Sequence, residues 1–334
     1  MTVRQRASAT AAGLVLGYAA DAVLGDPRRF HPVAGFGTVA SHLEHQWYDD
    51  RRLPGAGFTL LLVAGTAGLG LPVRRLRSPI LRVGLTALAT WAVLGGRSLD
   101  REAAAVERLL GAGDLATARV RLTHLVGRDT SCLDESGVAR AVVESVAENS
   151  SDAVVAPLLW GAVAGVPGLL GYRAANTLDA MVGHRSARYE RFGWAAARLD
   201  DVLNLPGARL AGLLTAVVSP RRSAAVVRVW RRDAGAHPSP NAGVVEAAFA
   251  GALDLTLGGT NTYGTGADRW TEQRARLGDG PAPTGPDIAR ARRLARRLGL
   301  AAAVTSAAMA LGTAAITGRS SRSASRVAAT ARTA

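Results

Sequence analysis

The stretch GAGFTLLLVAGTAGLGLPV, residues 55–73, contains no charged side chain. A helix needs roughly 20 largely apolar residues to cross a bilayer. Residues 153–172 and 298–318 are equally uncharged, and residues 78–96 contain only Arg82, which lies near one end of the run. These four stretches predict four membrane spans.

Two further apolar runs each contain one charged residue. Residues 7–25 include Asp21, and residues 202–219 include Arg209. Because a charge inside lipid is costly, the sequence does not decide whether either run crosses the membrane. The first run also resembles a signal peptide, but no convincing cleavage site follows it, so a retained helix is favoured.

The predicted fold class is an all-α, polytopic helical membrane protein with about four to six membrane-embedded helices and an active site carried by polar helical loops.

The run at residues 153–172 is interrupted by Pro157, Pro167 and four glycines. This punctuation fits a broken or re-entrant helix as well as a straight span. The difference matters because a straight crossing would place the flanking polar segments on opposite sides of the membrane. No alternation of strand type is long enough to predict a sheet.

Composition agrees with a lipid environment. The chain is 48% hydrophobic but only 5% aromatic, so small residues supply much of its apolar surface. Its formal charge of +14 comes from arginine without any lysine. The arginines gather beside apolar runs, which indicates contact with anionic lipid rather than nucleic acid. The single cysteine, Cys132, excludes an internal disulfide and any multi-cysteine metal site.

The chain divides into four parts by composition. Residues 1–263 are predicted to form a membrane-embedded catalytic domain, and residues 264–288 a mobile loop. Residues 289–318 form a C-terminal transmembrane helix of the same domain. Residues 319–334, rich in Ser, Arg, Ala and Thr, are predicted to be a disordered tail.

The first polar segment is VGRDTSCLDESGVARAVVESVAENSSDAV, residues 126–154. Arg140, Glu144 and Glu148 follow each other at four-residue steps on one face of a predicted helix, and Asp152 comes next. Carboxylates that converge at a membrane boundary could hold Mg²⁺, which takes one or two carboxylates together with substrate phosphates. The alternative is a solvated helix with Arg–Glu pairs.

A second polar segment places Asn176 and Asp179 one helical turn apart, and it repeats the three-residue step at Arg198, Asp201 and Asn204. Acidic groups near lipid usually face a cavity, pair with each other or serve function. The alternative is a simple salt bridge between Asp201 and Arg198.

Two loops add further polar candidates. In HPSPNAG the prolines impose extended or turn backbone, which presents His237, Ser239 and Asn241. Near the N-terminus, GDPRRFHPV carries a small basic patch, either a phosphate site or an interfacial anchor, at Arg28, Arg29 and His31. Phosphate-loop, zinc-protease and nucleophile-elbow motifs are all missing. The residues alone indicate a membrane enzyme or transporter for an anionic, hydrogen-bonding substrate.

Four long strings carry a resemblance to a known family: VGRDTSCLDESGVARAVVESVAENSSDAVVAPLLW, AANTLDAMVGH, FGWAAARLDDVLNLPGARL and HPSPNAGVVEAAFAGAL. Together with GDPRRFHPV they run in order from about residue 14 to 264. They resemble the adenosylcobinamide-phosphate synthases of cobalamin biosynthesis, the CobD/CbiB-type membrane proteins. Long collinear motifs are more specific than any single pattern.

The resemblance implies a reaction. Such an enzyme joins the corrinoid carboxylate of adenosylcobyric acid to the amine of aminopropanol phosphate and consumes ATP. The product is the amide adenosylcobinamide phosphate. An acyl-phosphate intermediate with Mg²⁺ on the phosphates is expected, and the amine needs a general base. The substrates make the corrinoid, the amino-alcohol phosphate and the lipid bilayer the expected partners.

The resemblance also suggests roles for residues. The catalytic candidates are Glu144, Glu148, Asp152 and Asp201, and the first three are the candidate Mg²⁺ ligands. The candidates for binding ATP or phosphate are Arg128, Asp129, Arg140, Asn149 and Arg198. The candidates for contacting the corrinoid or the amino-alcohol are Asn176, Asp179, Asn204, His237, Ser239 and Asn241.

Because ATP is cytoplasmic, the active site should face the cytoplasm from a multi-pass protein of the inner membrane. The arginine clusters at residues 219–232 and 290–297 agree with that orientation under the positive-inside rule, whereas the cluster at residues 74–77 argues against it. A membrane transporter or a non-catalytic scaffold for a corrinoid or another anionic substrate is the alternative. The oligomeric state stays open.

Overall fold

The computed structural model describes residues 1–26, 31–184, 186–264 and 270–330, with side chains up to residue 312. Helices make up most of these residues. The α-helices are α1 (Val3–Leu24), α2 (Pro32–Trp47), α3 (Arg52–Gly68), α4 (Leu71–Arg75), α5 (Pro79–Val93), α6 (Gly96–Gly111), α7 (Leu115–Leu122), α8 (Glu135–Ser150), α9 (Ala156–Ala164), α10 (Val166–Leu178), α11 (Trp194–Val218), α12 (Ser223–Asp233), α13 (Ala242–Leu253) and α14 (Gly285–Thr330). Two wider π-helical segments occupy Ser151–Val155 and Asp179–Gly183.

Within the described residues, five helical stretches are long and apolar enough to cross a membrane. This number confirms the predicted polytopic all-α membrane fold. Both charge-bearing runs are among the candidates, which are Val3–Leu24, Arg52–Arg75, Pro79–Gly111, Trp194–Val218 and Gly285–Gly312.

The charged residues inside two of these stretches contact other parts of the protein. Asp21 is buried and accepts hydrogen bonds from the backbone N–H groups of Gly96 and Arg97 at the start of α6. Arg209 donates from Nη1 to Asn241 Oδ1 at 2.7 Å. Each charge therefore faces protein rather than lipid, as charges in membrane helices usually do.

The uncharged run at residues 153–172 is not a straight span. A π-helical segment leads into α9, which ends at Ala164, and after Gly165 the chain continues as α10 from Val166. Gly165 has a φ of 67°, a conformation open to glycine and rarely to other residues. Pro167 lies in the first turn of α10, where its fixed φ suits the helix. The broken-helix alternative is therefore the correct one.

Small residues allow the helices to approach closely. A Cβ atom on Gly13 of α1 would lie 2.5 Å from Thr86 Cβ of α5, and one on Gly17 would lie 2.4 Å from Thr90 Cβ. Close contact between small residues is a common way of associating helices in membranes. At the centre of the molecule, α13 is buried along nearly its whole length and packs against α8, α11 and α12.

The prediction of no sheet is wrong. Strands β1 (Leu257–Tyr263) and β2 (Trp270–Leu277) form an antiparallel hairpin. The hairpin is held on α8 and its preceding loop, because Arg140 Nη2 donates to Thr260 O at 3.0 Å and Asp129 N donates to Thr262 O at 2.8 Å. Tertiary contacts of this kind leave no periodic pattern in the strand sequences.

The predicted loop at residues 264–288 therefore contains β2 and the start of α14 at Gly285. The backbone of α14 continues as a helix to Thr330, past residue 319, where the disordered tail was expected to begin. The mobility of the loop and the disorder of the tail stay predictions.

Candidate functional site

A polar recess lies between the hairpin and the two buried helices α8 and α13. Its cavity volume is about 150 Å³. α8 supplies two carboxylates, α13 supplies one, and the hairpin supplies an amide, a phenol and a guanidinium. The charged and polar side chains that line it are Arg128, Glu144, Ser145, Glu148, Glu246, Asn261, Tyr263 and Arg274.

Glu144 is fully engaged on one side of this recess. Its Oε2 lies 2.6 Å from Arg128 Nη2, and its Oε1 accepts a hydrogen bond from the backbone N–H of Gly258 at 2.8 Å. Arg140 Nη1 lies 3.8 Å from Oε1, and Arg128 also donates to Asn261 Oδ1. The side chains of Glu144 and Arg128 are each only 5% exposed, so the two charges neutralise each other inside the protein.

The predicted trio of Mg²⁺ ligands does not form one metal-binding group. Across the described residues, no cluster of three or more His, Cys, Asp or Glu side chains is arranged to hold a metal ion. Glu144 is occupied by Arg128, whereas Glu148 and Asp152 continue along the chain towards a second polar group. Mg²⁺ binding by Glu144, Glu148 and Asp152 together with substrate phosphates stays a prediction.

Three predicted ATP-binding residues serve the local structure. Arg140 donates to the carbonyl oxygens of Gly258 and Thr260, and burial lowers the pKa of its guanidinium. Asp129 Oδ1 accepts the backbone N–H of Ser131 at 2.9 Å. Asn149 Nδ2 donates to Ser145 O at 2.9 Å, and Asn149 does not line the recess.

Glu148 is different, because its side chain opens onto the recess. It makes no hydrogen bond or ion pair with any described residue. The protein packed around it raises the pKa of its carboxyl group, Arg274 opposes that rise, and Glu144 adds to it. Solvent that reaches the recess limits the desolvation, so Glu148 is an accessible carboxylate with a raised affinity for a proton.

A second group of carboxylates continues from Glu148. Asp152 and Asp179 lie in the two π-helical segments, and Asp200 lies on α11. Asp152 interacts electrostatically with Glu148, Asp200 and Asp179. Burial, followed by Asp200 and Asp201, raises the pKa of Asp179 to about 7. π-Helical turns are frequent at functional sites, where they redirect side chains.

Amide and phenol groups surround Asp200. Asn176 Nδ2 donates to Asp200 Oδ1 at 3.3 Å, and Asn204 Nδ2 donates to Asp200 Oδ2 at 2.8 Å. The Tyr172 hydroxyl donates to Asn204 Oδ1 at 2.6 Å. The structure therefore brings the predicted residues Asn176, Asp179 and Asn204 together at the end of the polar tract.

Asp201 and Arg198 lie outside this group. Arg198 Nη1 is 3.6 Å from Asp201 Oδ2, and the arginine side chain is 67% exposed. The salt-bridge alternative is thus the observed arrangement for this pair. The neighbouring Asp200 faces the polar tract. The sequence of the Asp200–Asp201 pair does not indicate which of the two residues turns inward.

The HPSPNAG loop mainly stabilises itself. His237 Nδ1 accepts the backbone N–H of Ser239 at 3.0 Å, and Ser239 Oγ accepts the backbone N–H of Ala242 at 3.2 Å. Asn241 Nδ2 donates to the backbone oxygen of Asp201 at 2.8 Å. Ser239 and Asn241 thereby fix the start of α13, while the His237 ring lies beside Glu246 of that helix.

Glu246 ends the recess in the interior. The residue is 0% exposed, and neither of its carboxylate oxygens has a hydrogen-bond partner among the described residues. His237 Nε2 lies 3.7 Å from Glu246 Oε1, too far for a hydrogen bond. Burial raises the pKa of Glu246 well above its usual range, and Glu144 and Glu148 raise it further, whereas burial lowers the pKa of His237.

Asp200, Glu246 and Arg274 are among the residues of the site that sequence reasoning missed. Glu246 had a usable signal, since a lone carboxylate inside the apolar helix AGVVEAAFAGAL needs a reason. Arg274 had no usable signal, because it lies in the segment predicted to be a loop.

Of the N-terminal basic patch, Arg28 and Arg29 lie outside the described residues, and His31 caps α2 by accepting the N–H of Val33 at 3.1 Å.

The fold and site together define a multi-pass helical membrane protein with a continuous polar tract of carboxylates, arginines and amides. The sequence profile of the CobD/CbiB protein family matches residues 14–295. The chain belongs to the CobD/CbiB family.

Similar proteins are found in several bacteria, each bearing the name cobalamin biosynthesis protein CobD. The relative from Mycobacterium tuberculosis is 50% identical over 297 residues, covering 88% of this chain and 94% of the relative. The relative from Rhodobacter capsulatus is 46% identical, covering 86% and 93%. The relative from Chromobacterium violaceum is 44% identical, covering 85% and 94%. No solved structure matches the chain.

Proposed function

We propose that this cobalamin biosynthesis protein forms an amide bond between the corrinoid carboxylate of adenosylcobyric acid and the amine of aminopropanol phosphate. The reaction consumes ATP and gives adenosylcobinamide phosphate. One observation carries the proposal: the accessible carboxylate of Glu148 and the guanidinium of Arg274 line a single recess beneath the hairpin. ATP-dependent amide formation needs negative side chains, which bind a cation and the amine, and positive side chains, which bind the phosphates.

The recess suits the activation of a carboxylate. A carboxylate oxygen leaves only after it has been phosphorylated, and phosphoryl transfer depends on positioning and on neutralised charge. Arg274 lines the recess beside the Arg128–Glu144 pair and supplies positive charge for phosphate oxygens. Arg274 is itself held in place, because its Nε donates to Glu272 Oε2 at 2.8 Å and its Nη2 to the Tyr263 hydroxyl at 2.9 Å.

Asp152 fits a Mg²⁺ ion that is shared with nucleotide phosphates, which leaves Glu148 free to accept a proton. Neither carboxylate has a hydrogen bond or ion pair with a described side chain, and the two interact electrostatically with each other. Mg²⁺ commonly uses one or two carboxylates and completes its shell with water and phosphate. When bound, the ion would neutralise phosphate charge.

The amine must lose a proton before it attacks the activated carbonyl carbon. Glu148 is open to the recess, and its surroundings raise its pKa towards the range that favours a general base. Asn176 and Asn204 present amide groups farther along the tract, and we assign them to contacts with the amide groups of the corrinoid. The site in this proposal faces the cytoplasm from the inner membrane, where ATP is available.

A transporter is the alternative function, and one observation favours it. Asp200 lies within the candidate span Trp194–Val218, and transport sites are commonly built on membrane helices. Such a protein would bind a corrinoid in the polar tract without altering it covalently.

An assay of the detergent-solubilised protein separates the two functions. Cobyric acid, aminopropanol phosphate and Mg²⁺–ATP are supplied together, and each is then omitted in turn. We expect mass spectrometry to detect the amide only in the complete mixture. If the folded protein gives no product and proteoliposomes containing it take up the corrinoid, the proposed enzymatic function is wrong and a transporter function is supported.

A further inference from the structure

A separate, strongly basic groove lies where α11 ends and α14 begins. Its cavity volume is about 550 Å³. Leu253 and Leu294 form part of its floor, and no acidic side chain lines it among the described residues. The arginines around it are Arg221, Arg222, Arg290, Arg293 and Arg297.

Two of these arginines are fixed by the protein. Arg222 donates from Nε to Gly251 O at 3.3 Å and pairs with Asp254. Arg290 lies 2.5 Å from Asp287 Oδ1 and donates to Leu253 O. These bonds shape one wall of the groove, and the groove as a whole keeps an excess of positive charge.

The remaining arginines have capacity for a ligand. Within the described part of the chain, Arg221, Arg293 and Arg297 make no hydrogen bond or ion pair, and all three are exposed. Arginine donates in a planar fork that matches two oxygens of a phosphate group. A concave surface with several such donors and no competing carboxylate favours a phosphate-bearing anion.

Apolar side chains continue from the groove along both helices. Leu213 and Val217 are 55% and 70% exposed on α11, and Leu300 and Val304 are 59% and 60% exposed on α14. They lie within about two turns of the groove, on stretches long enough to span a bilayer. A soluble phosphate would have no use for these apolar surfaces, whereas lipid chains would cover them.

We propose that this groove binds the phosphate headgroup of an anionic phospholipid, with the acyl chains lying along α11 and α14. Basic pockets between membrane helices are known sites for anionic headgroups. The proposal is independent of the amide-forming reaction, because none of the groove residues lines the polar recess.

Native mass spectrometry of the full chain in neutral detergent tests the proposal. The delipidated protein is titrated with phosphatidylglycerol, with phosphatidylcholine and with inorganic phosphate. We expect saturable binding of phosphatidylglycerol at least about tenfold tighter than that of phosphatidylcholine. The double variant R293Q/R297Q should lose about tenfold or more of that affinity, and R293K/R297K should retain most of it.

The double variant R75Q/R77Q is the matched control, since it removes two exposed arginines beside another candidate span. It should change the affinity for phosphatidylglycerol less than about twofold. Equal losses in the two glutamine variants would overturn the proposal in favour of diffuse attraction. Equal binding of the two lipids would also overturn it, and displacement of phosphatidylglycerol by millimolar inorganic phosphate would assign the groove to a soluble anion instead.

Discussion

The polar tract has two halves that differ in how their charge is balanced. In the clamped half, Arg128 and Glu144 neutralise each other beneath the hairpin, and both side chains are 5% exposed. In the open half, Glu148, Asp152 and Asp179 have no cationic partner within hydrogen-bonding distance among the described residues, and the pKa of Asp179 rises to about 7.

This difference separates structural from functional charge. A buried ion pair whose oxygens are all occupied has little left to offer a ligand, but its loss is costly to the fold. Neighbouring carboxylates without a cation repel each other, and a bound cation or an ammonium group relieves that repulsion. The clamped half therefore holds the hairpin, and the open half is the better place for chemistry.

The largest expected effect comes from breaking the clamped half. Arg128→Gln leaves Glu144 buried without its main partner, so the free energy of unfolding should fall by about 3 kcal/mol. Denaturant unfolding in detergent measures the loss, and hydrogen exchange should show faster exchange in β1. Arg198→Gln is the control, because its exposed pair with Asp201 should contribute less than about 1 kcal/mol. Similar losses in both variants would contradict the assignment.

The next effect concerns activity in the open half. Glu148→Gln removes the accessible carboxylate while keeping its shape, so the rate of ATP-dependent amide formation should fall about 100-fold. The melting temperature should stay close to that of the wild type, because Glu148 has no partner to lose. Glu190→Gln, an exposed change elsewhere, should leave the rate unaltered. Full activity in Glu148→Gln would remove this residue from the mechanism.

A smaller effect is expected in the pH dependence of stability. Asp179 has a pKa of about 7 in the folded protein against an ordinary value of 3.8, so the folded state binds more protons between these values. Stability should therefore fall as pH rises from about 4 to 7. Asp179→Asn should be more stable than the wild type at pH 8 by on the order of 1 kcal/mol, with no difference near pH 4. Thermal melts at both pH values measure this, and a pH-independent difference would contradict the assigned titration.

The smallest effect is expected at Asp201. Because its carboxylate pairs with exposed Arg198 outside the tract, Asp201→Asn should change the rate of amide formation by less than about twofold. Parallel kinetics with Glu148→Gln provide the comparison. A loss as large as that of Glu148→Gln would extend the open half to Asp201.

The sequence alone predicted the membrane fold better than it predicted the site. Uncharged runs of spanning length are a direct signal, whereas Asp21 and Arg209 obscured two helices because their partners lie far along the chain. The hairpin was missed since its stability depends on contacts with α8 that no local pattern reveals.

Among the predicted site residues, spacing found the carboxylates but could not tell which were already neutralised. Glu144 and Glu148 differ only by one helical turn, yet one contacts Arg128 and the other contacts solvent in the recess. Asp200 and Asp201 are adjacent, yet Asn176 and Asn204 donate to Asp200, whereas Asp201 pairs with the exposed Arg198. Such distinctions require the three-dimensional arrangement of several elements.

The π-helical segments have a consequence for sequence length. Each π turn takes up about one residue more than an α turn. Deleting one residue within Ser151–Val155 would return that stretch to a regular α-helix and leave α8 and α9 in nearly the same relative orientation, because the wider turn takes up the extra residue. Asp152 lies inside the wider turn, so its side chain would then change direction relative to Asp179 and Asp200 even if no polar residue had been removed. The site therefore depends on the number of residues in this segment as well as on their identity.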